Sequence, residues 1–369
     1  MTPLEAATHN NAYEYYAGLR LNGELLFDEG LGLWIASTAR TVEAVLTHPD
    51  CRVRPLHEPV PAAIAQGAAG QVFASLMRMN EGTRHRCPRA VIEPALASLA
   101  TEDVVTRIGP PAADLNEFMF TLPVSAVAHW LGFPRDQLRE VARMTRDFVA
   151  CLSPLSSEAQ LRDAHAGASR LREMFSGLLA QSGLREHILR NYEASTWEDP
   201  DALIANLIGL LSQTCEASAG LIGNTLVTLH RRPDLLELVQ RTPTLTIALV
   251  EEVARYDSPV QNTRRFVGSR CTIGDRTLEA GDTVLVLLAS ANRDPAANPE
   301  PDRFLLERQQ RRTFSFGLGR HQCAGQKIAV SIAAQAIQDL QRRQQSVLSS
   351  PCAFSYWPSL NGRIPRFHG

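Results

Sequence analysis

The sequence predicts a mainly α-helical protein with a minor β part, in one large domain. Three observations carry this. From about residue 80 to 250 the apolar positions keep helical spacing, broken only at "GPP" (109–111), "GFP" (132–134) and "LSPLSS" (152–157). After 255 the texture changes to short apolar runs separated by Gly-Asp turns, as a small sheet requires. No Gly/Ser-rich linker, low-complexity run or repeat divides the 369 residues, although length alone would suit two or three domains.

Along the chain, "AYEYYAGLRL" (12–21) reads as a short helix, and "ELLFDEGLGLWIAST" as two strands around a Gly-containing turn. "ARTVEAVLTHPD" returns to helical spacing and stops at Pro49. Residues 52–76 read as a loop region with at most a short helix. The helix-rich body then spans about 80–255, with one more helix over 324–345 through "KIAVSIAAQAIQDLQRR". Small β regions are expected at about 22–37, 264–288 and 350–366, the last as a terminal hairpin in "CAFSYWPSLNGRIPRF".

Composition excludes several classes. Lys and Arg total 37 against 39 Asp and Glu, so nothing global pulls the chain toward nucleic acid or a membrane surface. The polar N-terminus shows neither a signal h-region nor a spanning helix, which predicts a cytoplasmic protein. Seven Cys, an odd number without a C-x-x-C pair, argue against a disulfide framework or a zinc ribbon. Most suit the role of small buried hydrophobes.

Cys323 is the exception. In "FSFGLGRHQCAGQKIAV" it follows Phe316, Gly317 and Gly319, precedes Gly325 and opens the last helix. Glycines let the backbone turn tightly and approach a neighbour closely. Backbone amides and the positive end of a helix favour a thiolate, and a thiolate among amides is a good metal ligand. An inert small residue at a helix start fits the same position.

The spacing Phe316-x-x-Gly319-x-x-x-Cys323-x-Gly325 resembles the haem-binding loop of the cytochrome P450 family, and other motifs accompany it. "EEVAR" places Glu252 and Arg255 at i,i+3 on one helix face. It is similar to the family's Glu-x-x-Arg, and the resemblance implies a buried triad completed by Arg303 in "PDRF". "ANRDP" lies between them, and the likeness runs from "LGLW" near 32 to "WPSL" near 358. It implies the P450 fold and haem b, with Cys323 as the axial ligand of the iron.

The haem propionates need cationic donors. The resemblance assigns His85 and Arg89 of "HRCPR", Arg265 and His321. Pro88 inside "HRCPR" predicts that this helix starts near His85 or is kinked there.

In "LLSQTCEASAGLIGN" an acid sits inside an apolar helix. A buried Glu hydrogen-bonded to a neighbouring helix would explain it. The resemblance instead makes residues 202–230 the long helix across the distal face of haem and puts Glu216 on the family's acid. Ala217 then stands where the family usually carries Thr, and Gln213-Thr214 replace a small Ala-Gly pair. Splitting dioxygen takes two protons, commonly relayed by an acid–alcohol pair with ordered water. Either the substrate or a water replaces the missing alcohol, or Thr214 or Ser218 does so from a neighbouring helical direction. Otherwise the chemistry is not oxygen insertion but coupling, desaturation or rearrangement. A peroxide-driven form would carry an Arg and a Pro here, and "QTCEASAG" has neither. The remote alternative is a non-catalytic haem-binding or sensor protein.

The resemblance thus implies a monooxygenase of secondary metabolism. No flavin, nicotinamide or iron–sulfur fingerprint is visible, so electrons are expected from a ferredoxin or flavodoxin with its reductase. Arg308, Arg311, Arg312, Arg320, Lys327, Arg342 and Arg343 would form a basic docking patch. The pocket is expected around residues 60–76, 148–160 and 213–217, Val260 to Thr263, and Phe354 to Trp357. Gln213, Gln261, Asn262 and Thr263 would bond a mid-sized, mostly apolar substrate, free or tethered to a carrier protein.

Overall fold

The computed structural model describes residues 1–99, 114–181, 183–343 and 353–368. The break at 109–111, the end of the helix expected to reach 345 and the start of the hairpin region at 350–352 lie outside them. The chain forms two compact units, each built from separated segments: 1–57, 220–323 and 336–369 in the first, 58–219 and 324–335 in the second.

The first unit begins with α1 (Ala12–Asn22), β1 (Leu25–Asp28), β2 (Leu33–Ala36), α2 (Ala39–Thr47) and β3 (Cys51–Arg52). Thr38 starts α2 by accepting the Thr41 amide at 3.3 Å on its hydroxyl, which satisfies one orphan donor of the first turn.

The second unit follows with α3 (Ala68–Ser75), α4 (Thr83–Ala97), α5 (Leu115–Leu131), α6 (Leu138–Ala150), α7 (Glu158–Ala180) and α8 (Glu186–Glu193). Leu138, Val141, Met144, Thr145 and Phe148 make the buried stripe of α6. Gly167 lets α7 approach α6 closely, since a Cβ there would stand 2.7 Å from the Met144 carbonyl. Ser157 and Gln160 cap α7 reciprocally. α5 ends on Gly132, whose φ of +116° few other residues adopt.

The long helix α9 (Pro200–Arg231) has 32 residues, about 48 Å at 1.5 Å each, longer than the 202–230 span expected. Pro200 opens it, and the Asp199 carboxylate accepts the Ala202 amide at 2.9 Å. Its residues to 219 belong to the second unit and the rest to the first.

The first unit resumes with α10 (Pro233–Arg241), α11 (Thr246–Tyr256), β4 (Thr263–Val267), β5 (Cys271–Ile273), β6 (Arg276–Leu278), β7 (Thr283–Val286) and α12 (Leu288–Asn292). After α13 (Gln326–Arg342), β8 (Ala353–Tyr356) and β9 (Pro365–His368) form the predicted terminal hairpin. α13 divides at Gln335, its first part belonging to the second unit.

Two of the β regions read separately in the sequence join in one sheet of order β1-β2-β7-β4-β3, with β2–β7 parallel and the other pairings antiparallel. β7 buries both faces by simple alternation. Val284 and Val286 pack with Val42, Val45 and Leu46 of α2, while Leu285 packs with Tyr16 of α1 and Ile35. Among the described residues no helix is long and apolar enough to cross a membrane.

Candidate functional site

The Cys323 loop is closed on itself and braced from below, all within the first unit. Gly317 and Gly319 take φ of +65° and +68°, and a Cβ on Gly319 would press to 3.3 Å from the Leu46 carbonyl. The Cys323 amide donates to the Phe316 carbonyl at 2.8 Å and the Gln322 amide to Gly319 at 3.0 Å. Asn292 of "ANRDP" holds the loop's root: its Oδ1 accepts the Phe314 amide at 2.6 Å and its Nδ2 donates to Ser315 Oγ at 2.8 Å. Sequence reasoning used that motif only as a marker of order. Phe314 is buried, whereas Cys323 is exposed and Phe316, Gly317, His321 and Gly325 are half-buried. α13 begins at Gln326, so Cys323 does not open the helix as expected but precedes it by three residues.

Glu252 anchors a charge network under the same unit. Glu252 and Arg255 are both 0% exposed and joined by two bonds, at 2.6 and 3.1 Å. Arg308 Nε reaches Oε1 at 3.1 Å and Arg311 Nε reaches Oε2 at 3.0 Å. The Leu305 amide adds a further donor at 3.1 Å. Burial alone would raise the Glu252 carboxyl, but these donors outweigh it and leave the group below its ordinary value.

Arg303, the expected third member, is not one. Its side chain is 64% exposed and pairs with Glu300 at 2.6 Å. The chain turns at Glu300, with φ of +48°, and the Arg303 amide closes that turn onto the Glu300 carbonyl. Only the Arg303 carbonyl faces the network, accepting from Arg255 and Arg308. The roles expected of Arg303 fall to Arg308 and Arg311.

Glu216 lies in the second unit with Arg78, Arg146, Cys151 and Cys215 around it. Its side chain is exposed, yet the protein packed around it strips enough water to raise its carboxyl above the usual range, with Arg78 and Arg146 pulling the other way. Arg78 is held on a 3₁₀ turn (Met77–Met79) that α9 clamps: Asn206 Oδ1 accepts the Met77 amide at 2.6 Å and Asn206 Nδ2 donates to the Ser75 carbonyl at 2.9 Å. Arg78 Nε is buried without a hydrogen-bond partner. Nothing in the sequence flagged Arg78, because its proximity to Glu216 comes from packing across 138 residues.

The residues beside Glu216 are tied to their own helix. Thr214 Oγ1 donates to the Leu210 carbonyl at 2.8 Å and Gln213 Nε2 to Gly209 at 3.0 Å. Ser218 is buried and Ala217 half-buried. The hydroxyl proton of Thr214 is therefore committed to the backbone, which weakens it as a relay.

Of the four expected propionate partners, His85 is buried on α4 and Arg265 is 6% exposed on β4. Arg265 donates to its neighbour's carbonyl, Arg264, at 2.8 Å. Arg89 makes a two-point pair with Glu93 at 2.8 and 2.9 Å. α4 starts at Thr83, so Pro88 falls in its second turn and removes the ladder bond to the Arg84 carbonyl.

Residues 225–340 match the family profile described as Cytochrome P450. The chain is 33% identical to vitamin D(3) 25-hydroxylase of Pseudonocardia autotrophica over 227 residues, 59% of this chain and 55% of that protein. It thus spans little more than half the length of this curated relative. It is 28% identical to the cytochrome P450 monooxygenase PikC of Streptomyces venezuelae over 90% of this chain and 83% of that one. The crystal structure of CalO2 superimposes with a TM-score of 0.86 at 23% identity, covering 100% of this chain and 97% of that one. The match to the cytochrome P450 family model is thus confined to residues 225–340, while the fold of CalO2 runs through the whole chain.

Proteins of this family carry haem with an axial cysteine thiolate. Within the first unit the residues present suit that group: an exposed cysteine on a glycine-turned loop, and the buried Arg265, of a residue type that can bind carboxylates.

Two further expectations are corrected. Gln261 and Asn262 were expected to face substrate. Gln261 is instead 0% exposed, its amide taken by the Ser258 carbonyl at 2.7 Å and by the Tyr16 hydroxyl at 3.1 Å. Asn262 Nδ2 donates to the Leu360 carbonyl at 2.8 Å. Both stitch the stretch into the first unit's core, where an unpaired amide would be costly. Val260 and Thr263 are half-buried.

The basic patch is the second correction. Arg308 and Arg311 are consumed by Glu252, and Arg320 donates to the carbonyls of Pro49 and Cys51. Arg312 pairs with Glu43, and Arg342 and Arg343 both pair with Asp339. Arg308 and Arg311 are thus structural rather than docking charge, while Arg312, Arg342 and Arg343 stay exposed beside their partners. Lys327 is exposed.

Proposed function

We propose that this chain is a cytochrome P450, a haem-thiolate monooxygenase acting on a mid-sized, mostly apolar small molecule, with Cys323 as the axial ligand. The observation that carries the reading is the loop itself: an exposed cysteine whose backbone is fixed by two left-handed glycines and the Phe316 carbonyl. When bound, haem supplies the activation of dioxygen by two electrons and two protons. His85, Arg89, Arg265 and His321 would neutralise its propionates by charge-assisted bonds. For Arg89 this requires sharing its guanidinium with Glu93.

Glu216 would hold and release the protons. Its raised carboxyl holds a proton more tightly than an ordinary Glu, with Arg78 and Arg146 pulling the other way. Ala217 offers no hydroxyl and Thr214 commits its own, so the second relay group is a water or a polar group of the substrate. The same missing hydroxyl favours, as a second reading, chemistry without oxygen insertion: coupling, desaturation or rearrangement.

The electron donor in this reading is a ferredoxin or flavodoxin with its reductase. A similar structure, P450BioI, is described in complex with a fatty-acid-ligated acyl carrier protein, at a TM-score of 0.80 and 22% identity. Delivery of substrate on a carrier is therefore part of the proposal. The test is an optical titration of the ferric holoprotein with candidate metabolites, free and carrier-linked. A low-spin to high-spin change supports the substrate reading and names its class. Turnover with supplied electrons that transforms none of the spin-shifting compounds would overturn it in favour of a ligand-binding protein.

A further inference from the structure

Beside the Cys323 loop, but outside the residues assigned to haem, the first unit brings together three soft ligands that the sequence keeps far apart. A ring nitrogen of His48 and the sulfurs of Cys51 and Cys271 all lie within 4.8 Å of one another. His48 and Cys51 flank one tight turn, closed by the Cys51 amide on the His48 carbonyl at 3.3 Å. Cys271 arrives on β5, across 220 residues of chain. Pairing of β3 with β4 and the Gly268 amide on the Asp50 carbonyl, at 2.8 Å, hold the two segments in place. Arg320 pins the turn further by donating to the Pro49 and Cys51 carbonyls at 3.0 and 3.3 Å.

We propose that His48, Cys51 and Cys271 form a binding site for a thiophilic divalent metal ion, zinc or cadmium in class. Two sulfurs and one imidazole are a donor set for such ions, with a fourth position left to water. Zinc–sulfur bonds of about 2.3 Å and zinc–nitrogen bonds of about 2.0 Å put tetrahedral ligand atoms roughly 3.5–3.8 Å apart. The triad therefore needs to contract by about 1.3 Å at most, within reach of side-chain rotation.

Charge and surroundings agree. The ion enters as M²⁺, two thiols release two protons to solvent, and the product is neutral at a partly buried place. Cys51 is buried, while Cys271 is half-buried and the His48 side chain is 25% exposed, so one side admits an ion. Asp50 supplies the outer support that ligating histidines use. Its amide donates to His48 Nδ1 at 3.1 Å, and its Oδ2 stands 4.0 Å from the same nitrogen. Ser269 fixes the other carboxylate oxygen at 2.5 Å. On binding through Nε2, the ring proton would move to Nδ1, which would give up the Asp50 amide and turn to the Asp50 carboxylate. Nothing in the P450 reaction requires these residues.

The test is equilibrium dialysis of the reduced holoprotein against zinc, with metal counted by elemental analysis. Wild type is compared with His48→Ala, Cys271→Ser and Asp50→Ala. Wild type should retain one zinc more than either ligand variant, and zinc should shield Cys51 and Cys271 from alkylation mapped by mass spectrometry. Asp50→Ala should weaken retention about 10- to 100-fold. Equal zinc in wild type and both ligand variants would overturn the site, as would a wild type whose Cys51 and Cys271 form a disulfide and take up no zinc once reduced. Circular dichroism decides which ligand variant is folded and so carries the comparison.

Discussion

Arg308 donates from Nε to Oε1 of Glu252 at 3.1 Å, with 3% of one side chain and 0% of the other exposed. Arg303, five residues earlier, is 64% exposed and faces Glu300. Buried charges are expensive to strand and exposed pairs contribute little. Arg308→Ala should therefore destabilise the protein by about 3 kcal/mol. Arg303→Ala should stay within about 0.5 kcal/mol. Denaturant midpoints of the two variants check this, and equal losses would contradict the network.

The same network sets an acid limit. The folded Glu252 carboxyl lies below its ordinary 4.5, so its contribution is complete above that pH and is lost as pH falls through the lowered value. Glu252→Gln should lower stability at neutral pH and flatten the acid limb of a melting-temperature profile. A profile parallel to wild type would show that other carboxylates govern that limb.

Glu216 has the opposite sign. Loss of water around it raises its carboxyl above 4.5, so the folded state binds the proton more tightly and stability falls as pH rises from 4.5 through the raised value. Glu216→Gln should leave acid stability unchanged and gain stability at neutral pH. Turnover should nevertheless fall by about 100-fold if Glu216 carries the protons. A variant with wild-type rate would remove it from proton delivery.

Ala217→Thr tests the missing hydroxyl. If the substrate supplies it, an analogue lacking that polar group should be poorly coupled in wild type, releasing peroxide instead of product. The Thr variant should recover coupling on the analogue. No change in product formed per reducing equivalent would mean that water alone serves, or that the reaction does not insert oxygen.

Local patterns in the sequence located α1, α2, α9 and α13, the helix-rich body as a whole, the first and last hairpins and the Cys323 loop, because each is specified by spacing within a few residues. Pairings across the chain were not legible. β3 has two residues and no pattern of its own, so the five-stranded sheet could not be assembled from local readings. Which arginine of "RFLLERQQRR" reaches Glu252 depends on turns at Glu300 and Gln310, both non-glycine residues with positive φ. Gln261 and Asn262 were misread because an amide suited to a pocket is equally suited to tying a buried coil. The nearness of Arg78 to Glu216, and of Cys271 to His48, is set by packing alone.

The central claim is tested most directly by the absorption spectrum of the reduced, carbon-monoxide-bound holoprotein, in wild type and in Cys323→Ser. Thiolate ligation through Cys323 predicts the long-wavelength Soret band of a haem-thiolate in wild type and its loss in the variant. The same band persisting in Cys323→Ser, or a wild type that binds haem with an imidazole-type spectrum, would contradict the account.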